Sequence, residues 1–368
     1  MKRRDILKKA ELKIQSPQLN GRRLLRFLSK NRGTISPLLI LTHDYPDPDA
    51  LASAFALQYI AERAYGIQSR IVYGGIIGRM ENKAMVSLLE MPAHKIKPSD
   101  FKRHEHIALM DTQPSFENNS FPKKRYATLV IDQHPSVTKP TADLSIVDTE
   151  CGATSVILAQ ALLMLHIEIP VRVATALAYG ILSDTLHLYR AARPDVIQTY
   201  LRILRHADLK ALAHIQNPSR SRGFFTTLGK GIRKAMVRRS LIVSHLGFVE
   251  NPDLVSQIAD FLLTYRRMEW ALATGRYNGK LHVSLRSDKP NMLASEVLRD
   301  VFLDRGEAGG HDTIAGGSFK VGEKATEAVW KKAEDALIGR FLKRLRLPVR
   351  GEFYHPFREK KEAPAPHV

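Results

Sequence analysis

The chain has 368 residues, of which 44% are hydrophobic, and its formal net charge is +19 at pH 7. This length allows two domains, and the hydrophobic content is sufficient for a folded core. The single cysteine, Cys151, excludes an internal disulfide and a thiolate cluster. No apolar run reaches the roughly 18 residues of a membrane span, and the charged N-terminus lacks the apolar segment of a secretory signal. We therefore expect a cytoplasmic protein with no membrane partner.

The positive charge is concentrated in two segments. Residues 1–34 contain 11 Lys/Arg against 2 Asp/Glu, and residues 202–240 contain 10 against 1, so each segment has a net charge of +9. A basic surface attracts polyanions, including single-stranded nucleic acid. A solvated basic face without a specific partner explains the same composition. The charge alone does not separate a nucleic-acid substrate from a small phosphorylated one.

In chain order, a basic helical N-terminal extension (1–34) precedes alternating strand and helix patterns over residues 35–204. Apolar strand patterns occupy 38–42, 70–75, 106–112, 126–135 and 143–149. Strongly apolar helical patterns follow at 154–166 and 171–185. Strands that alternate with helices predict an α/β domain with a mostly parallel sheet and helices on both faces.

The second half of the chain predicts another, smaller α/β unit. We expect residues 205–239 to form a basic helical connector, residues 240–345 the second domain, and residues 346–368 a tail whose last ten residues, EKKEAPAPHV, are disordered. Within the second domain we predict a strand at 240–249, a helix at 254–265, a strand pair over 269–287 with its turn at Tyr277–Lys280, and a helix at 294–302. A glycine-rich loop, GEAGGHDTIAGG, follows at 306–317.

Acidic and imidazole side chains gather where the predicted strands end. The loop THDYPDPDA follows the first strand, and others follow later elements; the set is His43, Asp47, Asp49, Asp111, Asp132, His134 and Asp184. Carboxyl ends of parallel strands meet at one edge, where α/β folds bind ligands. Carboxylates with imidazoles suit Mn²⁺, Fe²⁺ or Zn²⁺. A helix cap is the alternative for each residue alone, notably for Asp49, but together they favour a shared metal site.

The order of these residues resembles the DHH phosphoesterase superfamily, in the branch with the DHH-associated C-terminal domain. The matching pattern is H-x-x-x-D-x-D, a strand-ending Asp, D-x-H, a later Asp, and finally G-G-H-x-x-x-A-G, and it spans about residues 38–320. The branch includes nanoRNases (oligoribonucleases), 3′-phosphoadenosine-5′-phosphate phosphatases, dinucleotide phosphodiesterases and RecJ exonucleases. The resemblance implies an N-terminal parallel-sheet DHH domain, a smaller substrate-binding domain, a cleft between them, and a possible homodimer.

The resemblance also implies a hydrolase with two Mn²⁺ ions, for which Mg²⁺ or Co²⁺ could substitute. His43, Asp47 and Asp111 match the ligands of the first ion. Asp49, Asp111 and Asp184 match those of the second, with Asp111 as the bridge. Two ions roughly 3.5–4 Å apart activate a shared water and hold the attacking and leaving oxygens of a displacement at phosphorus.

Asp132 and His134 are the implied catalytic residues. His134 would hydrogen-bond a phosphoryl oxygen or assist the leaving group. The middle residue of this triplet departs from the family pattern, because Gln133 stands where the family has a histidine that binds the second metal. Glutamine offers only a neutral amide oxygen as a ligand. The second ion could therefore bind through the carboxylates alone, be replaced by Mg²⁺, or be absent from an inactive protein.

The C-terminal domain is expected to hold the substrate. Two segments, SLRS and the GGH triplet, would supply backbone N–H groups, hydroxyls and cationic donors for phosphate. The expected substrate-binding residues are Ser284, Arg286, Ser287, Gly309, Gly310 and His311. The alternative for both segments is an ordinary strand and a loop without a ligand.

We therefore predict a metal-dependent phosphodiesterase or phosphatase that hydrolyses short oligonucleotides, dinucleotides or 3′-phosphoadenosine-5′-phosphate. Longer single strands would also fit the basic segments. One alternative is a catalytically weak or inactive nucleotide-binding homologue, which Gln133 favours and the retained acids oppose. The other is an inorganic pyrophosphatase, which shares the first domain but is disfavoured by the GGH segment.

Overall fold

The structure is a computed structural model. It describes residues 19–136, 140–289, 293–303, 306–310, 313–348 and 351–358. The chain divides into two compact units, Met1–Pro218 and Ser219–Val368. This division lies inside the segment 205–239 that we expected to connect two domains. None of the helices in the described ranges is long and apolar enough to cross a bilayer.

The first unit contains a six-stranded sheet in which every pairing is parallel. Its strands are β1 (Leu38–Thr42), β2 (Ser69–Tyr73), β3 (Ala93–Lys95), β4 (His106–Met110), β5 (Ala127–Asp132) and β6 (Ala142–Val147). The helices are α1 (residues 19–31), α2 (Pro48–Tyr65), α3 (Met80–Leu88), α4 (Pro98–Arg103), α5 (Thr154–Met164), α6 (Val171–Asp184), α7 (Pro194–Leu204) and α8 (Leu209–Gln216). The predicted parallel α/β fold is confirmed.

The order of the strands, β3-β2-β1-β4-β5-β6, determines where a ligand site can form. The chain leaves β1 toward β2 on one side and later returns to place β4 on the other. Such a reversal opens a crevice at the carboxyl ends of the two neighbouring strands. The loop with His43 follows β1, and Asp111 follows β4. Both residues therefore lie at the reversal.

Three apolar helices support this edge of the sheet. Strand β1 is buried at all five positions, as expected for the centre of a sheet covered on both faces. Helix α5 is buried at nine consecutive positions, from Thr154 to Leu162. Helix α6 approaches α2 and α5 closely at Gly180, where an added Cβ would lie 2.5 Å from Ser155 Oγ. The start of α5 is thereby held against the loop that begins α2.

The second unit has its own six-stranded sheet, in the order β11-β12-β10-β9-β8-β7. Its strands are β7 (Met236–Arg238), β8 (Leu241–Phe248), β9 (Trp270–Tyr277), β10 (Lys280–Ser287), β11 (Gly306–Gly310) and β12 (Ile314–Lys320). Its helices are α9 (Arg222–Arg233), α10 (Asp253–Leu263), α11 (Ala294–Phe302) and α12 (Glu327–Arg344). Strands β8 and β9 pair in parallel and the other pairs are antiparallel, so the second α/β unit is also confirmed.

The glycine-rich segment 306–317 corrects one expectation. We predicted a loop, but most of it forms β11 and β12, which pair antiparallel from Gly306↔Phe319 to Gly310↔Ala315. Strand pairing with β10 imposes the extended conformation, although glycine has a low strand propensity. The short elements β3, α4 and β7 were also missed, because three to six residues carry too little periodicity to be recognised.

Candidate metal centre

His43 lies directly after β1 and is oriented by the backbone of its own loop. Its Nδ1 is 2.9 Å from the carbonyl oxygen of Asp44, which accepts the Nδ1 proton. The other ring nitrogen, Nε2, faces two carboxylates and lies 3.7 Å from Asp47 Oδ1 and 3.6 Å from Asp111 Oδ2. A ring fixed in this way presents one nitrogen lone pair to a cation.

Asp47 has a structural role in addition to facing His43. It is the N-cap of α2, and its Oδ1 accepts a 2.9 Å hydrogen bond from the Ala50 N–H. Pro48 occupies the first helical position, which suits its fixed backbone angle. The helix start therefore holds Asp47 in place. The capping role that the sequence suggested for Asp49 at this helix belongs to Asp47 instead.

Asp111 is the most informative residue of the group. It is 1% exposed and adopts a left-handed backbone (φ 58°), which is uncommon outside glycine. Its Oδ1 accepts a 2.7 Å hydrogen bond from Thr154 Oγ1, whereas its buried Oδ2 has no hydrogen-bond partner. Burial and the charge of Asp47 raise the pKa of Asp111 to about 6. A buried carboxylate oxygen without a donor is costly, and a cation beside His43 would satisfy it.

His43, Asp47 and Asp111 together offer one nitrogen and two oxygen atoms within 4.8 Å of one another. This donor set fits a divalent ion that accepts both imidazole and carboxylate ligands, such as Mn²⁺. The predicted ligands of the first ion are thus brought together by β1, α2 and the end of β4.

Asp49 and Asp184 occupy a different environment. Asp49 is fully buried, and its two oxygens accept hydrogen bonds from the backbone N–H groups of Thr154 (2.6 Å) and Ser155 (2.8 Å) at the start of α5. Asp184 Oδ2 lies 2.6 Å from Gln133 Nε2, which is also 3.4 Å from Asp49 Oδ2. Burial and neighbouring negative charges raise the pKa of both carboxyls well above the usual range. Among the described residues, no three-ligand group includes either Asp49 or Asp184.

Asp132 and His134 form a hydrogen-bonded pair beside this centre. Asp132 Oδ1 lies 2.8 Å from His134 Nδ1 and also accepts from the Gln133 and His134 N–H groups. Burial disfavours the charged imidazolium, but the hydrogen bond with Asp132 and the negative charge of Asp111 outweigh it and raise the pKa of His134 to about 9. His134 is therefore a cationic donor at neutral pH before any ion is bound.

Gln113 completes this pair and was missed by the sequence analysis. Its Nε2 donates to Asp132 Oδ2 at 2.6 Å and to the His134 carbonyl oxygen at 2.8 Å. It therefore orients the carboxylate that orients His134. The one local clue is that Gln113 comes two residues after Asp111, at the same strand end.

The residues expected to bind substrate lie in the second unit, mostly on β10 and β11. Arg286 is 4% exposed and pairs with Asp260, and its Nη1 donates to Ser284 Oγ at 2.7 Å. Ser287 Oγ accepts from the Lys289 N–H at 3.0 Å. The backbone at Gly309 is exposed, and a Cβ there would meet no atom within 4 Å. Gly310 ends β11, and His311 lies outside the described residues.

The fold and this group of acids at the strand edge define a two-unit α/β protein with a candidate divalent-metal site. Comparisons with known proteins place it in a family. The DHH family, N-terminal domain matches residues 37–181, and the DHHA1 domain matches residues 238–339. An uncharacterised protein of Methanocaldococcus jannaschii is 33% identical over 342 residues, which cover 91% of this chain and 70% of that protein. The chain therefore belongs to the DHH family, with a C-terminal DHHA1 domain.

Two further proteins are similar to this chain, one in sequence over part of its length and one in fold. A "probable manganese-dependent inorganic pyrophosphatase" of Streptococcus pyogenes is 26% identical over 159 residues, or 42% of this chain and half of that protein's length. The crystal structure of an exopolyphosphatase-related protein from Bacteroides fragilis superposes with a TM-score of 0.68 over 89% of this chain and 98% of the other, at 14% identity. The latter similarity shows a shared fold.

Proposed function

We propose that this protein is a divalent-metal-dependent phosphoesterase that acts on short nucleotides. The observation that carries the proposal is the buried Asp111 Oδ2, which has no hydrogen-bond donor and lies 3.6 Å from His43 Nε2. His43, Asp47 and Asp111 would hold Mn²⁺. Mg²⁺ or Co²⁺ could bind the same residues, because these ions also accept oxygen or imidazole ligands. The bound ion would lower the pKa of a coordinated water and polarise a phosphoryl oxygen.

The chain's own residues would position the substrate and move a proton. Asp132, held by Gln113, orients the His134 ring through Nδ1, and we expect the other ring nitrogen, Nε2, to meet a substrate oxygen. Because Asp132 accepts a hydrogen bond from Nδ1 and stabilises the imidazolium, His134 would donate a hydrogen bond to a phosphoryl oxygen or a proton to the leaving group.

The second unit supports nucleotides as the substrate class. We propose that Ser284, Arg286, Ser287, Gly309, Gly310 and His311 contact the substrate. The match of residues 238–339 in this unit to the DHHA1 domain is consistent with the nucleotide-hydrolysing branch that the sequence resembles. Expected substrates are oligoribonucleotides of a few residues, dinucleotides and 3′-phosphoadenosine-5′-phosphate. The overall charge of +19 is compatible with longer single strands as well.

Inorganic pyrophosphate is the second candidate substrate. The similarity to the streptococcal pyrophosphatase supports it, because 159 residues of the two proteins align. The match of residues 238–339 to the DHHA1 domain favours nucleotides over pyrophosphate. A nucleotide-binding protein without activity is a third candidate, for which Gln133 is the supporting residue.

The test compares the wild type with Asp111→Ala on a short 5′-labelled RNA, a linear dinucleotide, 3′-phosphoadenosine-5′-phosphate and pyrophosphate, each with and without Mn²⁺. Asp143→Ala is the control, because it makes the same change at an exposed position of β6. We expect Mn²⁺-dependent hydrolysis that falls at least about 100-fold in Asp111→Ala and is unchanged in the control, since even residues that only support metal ligands cost 10–100-fold. An Asp111→Ala protein with wild-type activity would refute the proposed centre, and a wild type inactive on all four substrates would support the binding protein.

A further inference from the structure

The amide of Gln133 lies between the two carboxylates that would hold a second metal ion. Its Nε2 is 2.6 Å from Asp184 Oδ2 and 3.4 Å from Asp49 Oδ2. Both neighbours are carboxylate oxygens, so the amide nitrogen, which carries two N–H donors, is the atom that must face them. One side chain therefore bridges Asp49 and Asp184 by hydrogen bonds.

Asp49 and Asp111 accept further hydrogen bonds from the start of α5. Both oxygens of Asp49 accept backbone N–H groups at the start of α5, at 2.6 and 2.8 Å. The positive end of a helix lies beside this carboxylate and offsets part of its charge. The Oδ1 of Asp111 accepts from Thr154 Oγ1 at 2.7 Å. The Oδ2 of Asp111, which faces His43, is the one without a donor.

We propose that Gln133 takes the place of a second metal ion, so that this centre binds a single ion through His43, Asp47 and Asp111. The inference rests on the proposed metal centre and limits it to one ion. It contrasts with the two-ion scheme that the family resemblance implies. An imidazole at position 133 would offer a nitrogen ligand beside Asp49 and Asp184, whereas the amide N–H groups offer donors that compete with a cation for the same oxygens.

The number of bound ions tests this inference without reference to catalysis. Wild type, Gln133→His and Gln68→His would be equilibrated with Mn²⁺ by dialysis, and bound manganese would be counted per chain by elemental analysis. Gln68 is exposed, so Gln68→His controls for the addition of an imidazole elsewhere on the protein. Electron paramagnetic resonance of the same samples distinguishes an isolated Mn²⁺ from an exchange-coupled pair.

We expect about one ion per chain and an isolated-ion spectrum in the wild type and in Gln68→His, and about two ions with a coupled spectrum in Gln133→His. Two bound ions with a coupled signal in the wild type would overturn this inference and leave the proposed function standing. A wild type that binds no Mn²⁺ would overturn both. The wild-type count decides the question even if Gln133→His does not fold.

Discussion

At the scale of single residues, the centre is a set of carboxylates whose hydrogen-bond donors can be named. Asp49 is held by the start of α5, Asp132 by Gln113, and Asp184 by Gln133. Asp111 differs, because one of its buried oxygens has no donor. The difference separates the carboxylates whose oxygens receive donors from the protein from Asp111, which we propose to be completed by a cation.

Gln113 should act as a positioning residue for His134. We expect Gln113→Met, which keeps the volume and removes the donor, to lower kcat about 10–100-fold, because Asp132 would no longer hold the imidazole in one orientation. The substitution removes Gln113 Nε2, which donates a hydrogen bond to Asp132 Oδ2 at 2.6 Å. Steady-state kinetics with a saturating substrate would measure the change, and Gln68→Met is the exposed control. A purely structural role would lower the melting temperature and leave kcat per folded molecule unchanged.

At the scale of elements, the site depends on how closely helices α2, α5 and α6 approach one another. Asp47 begins α2, Asp49 receives the start of α5, and Asp184 ends α6. Gly180 is a point of close packing, where an added Cβ would meet Ser155 Oγ, Ala52 Cβ and the Pro48 carbonyl. A shift of α6 would therefore also move the start of α2, which holds Asp47.

A pair of glycine substitutions tests this packing. Gly180→Ala should destabilise the protein by about 1–3 kcal/mol, because the methyl group would lie 2.5 Å from Ser155 Oγ. Gly339→Ala in α12 should instead stabilise it by about 0.5–1 kcal/mol, since a Cβ there has no neighbour within 4 Å and alanine favours helix. Urea unfolding would give both values. Equal effects of the two substitutions would contradict the packing argument.

In the second unit, Arg276 joins β9 to α12 through two glutamates. Its guanidinium donates twice to Glu334, at 3.0 and 3.0 Å, and twice to Glu327, at 2.6 and 2.9 Å. Arg276 and Glu334 are each 5% exposed. The Glu334 pair is therefore shielded from solvent, whereas the Glu327 side chain is exposed.

The two glutamates should differ in their contribution to stability. Glu334→Ala should lower the free energy of unfolding by about 1.5–3 kcal/mol, the usual cost of hydrogen bonds to a charged group; Glu327 still compensates part of the arginine charge. Glu327→Ala should cost clearly less, because water screens an exposed pair. Denaturant unfolding of both variants is the measurement. A larger loss in Glu327→Ala would reverse this assignment.

At the scale of the whole molecule, each unit has its own sheet and hydrophobic core. All of the proposed metal ligands lie in the first unit, on elements between β1 and α6. A ligand that binds only the folded state stabilises the part that forms its site.

Metal binding should therefore protect one unit more than the other. At a free Mn²⁺ concentration of about 100 times Kd, we expect the first unit to gain about 2.7 kcal/mol of stability. Hydrogen exchange measured by mass spectrometry would show slower exchange in peptides from 38–184 and little change in peptides from 241–320. Chelation should reverse the effect, and Asp111→Ala should abolish it. Equal protection of both units would argue against a site confined to the first.

Much of this protein follows from local features of its sequence. Apolar runs with acids at their ends identified β1, β4 and β5, because a buried strand and the polar residue that terminates it are neighbours in the chain. The ordered motifs from His43 to the GGH segment, taken together, gave the family resemblance. By contrast, the alternation of side chains along the strand did not predict that Arg286 is buried and paired with Asp260.

The sequence by itself therefore determined the fold class, the family and the residues that gather at the sheet edge, since periodicity and strand-end chemistry act over a few residues. Only the tertiary structure decided which carboxylate oxygens are already satisfied. Asp49 meets α5 across 106 residues of chain, and Gln133 meets Asp184 across 51. Such hydrogen bonds exist only when distant segments pack together, so no local pattern records that Asp111 keeps a free oxygen while Asp49 does not.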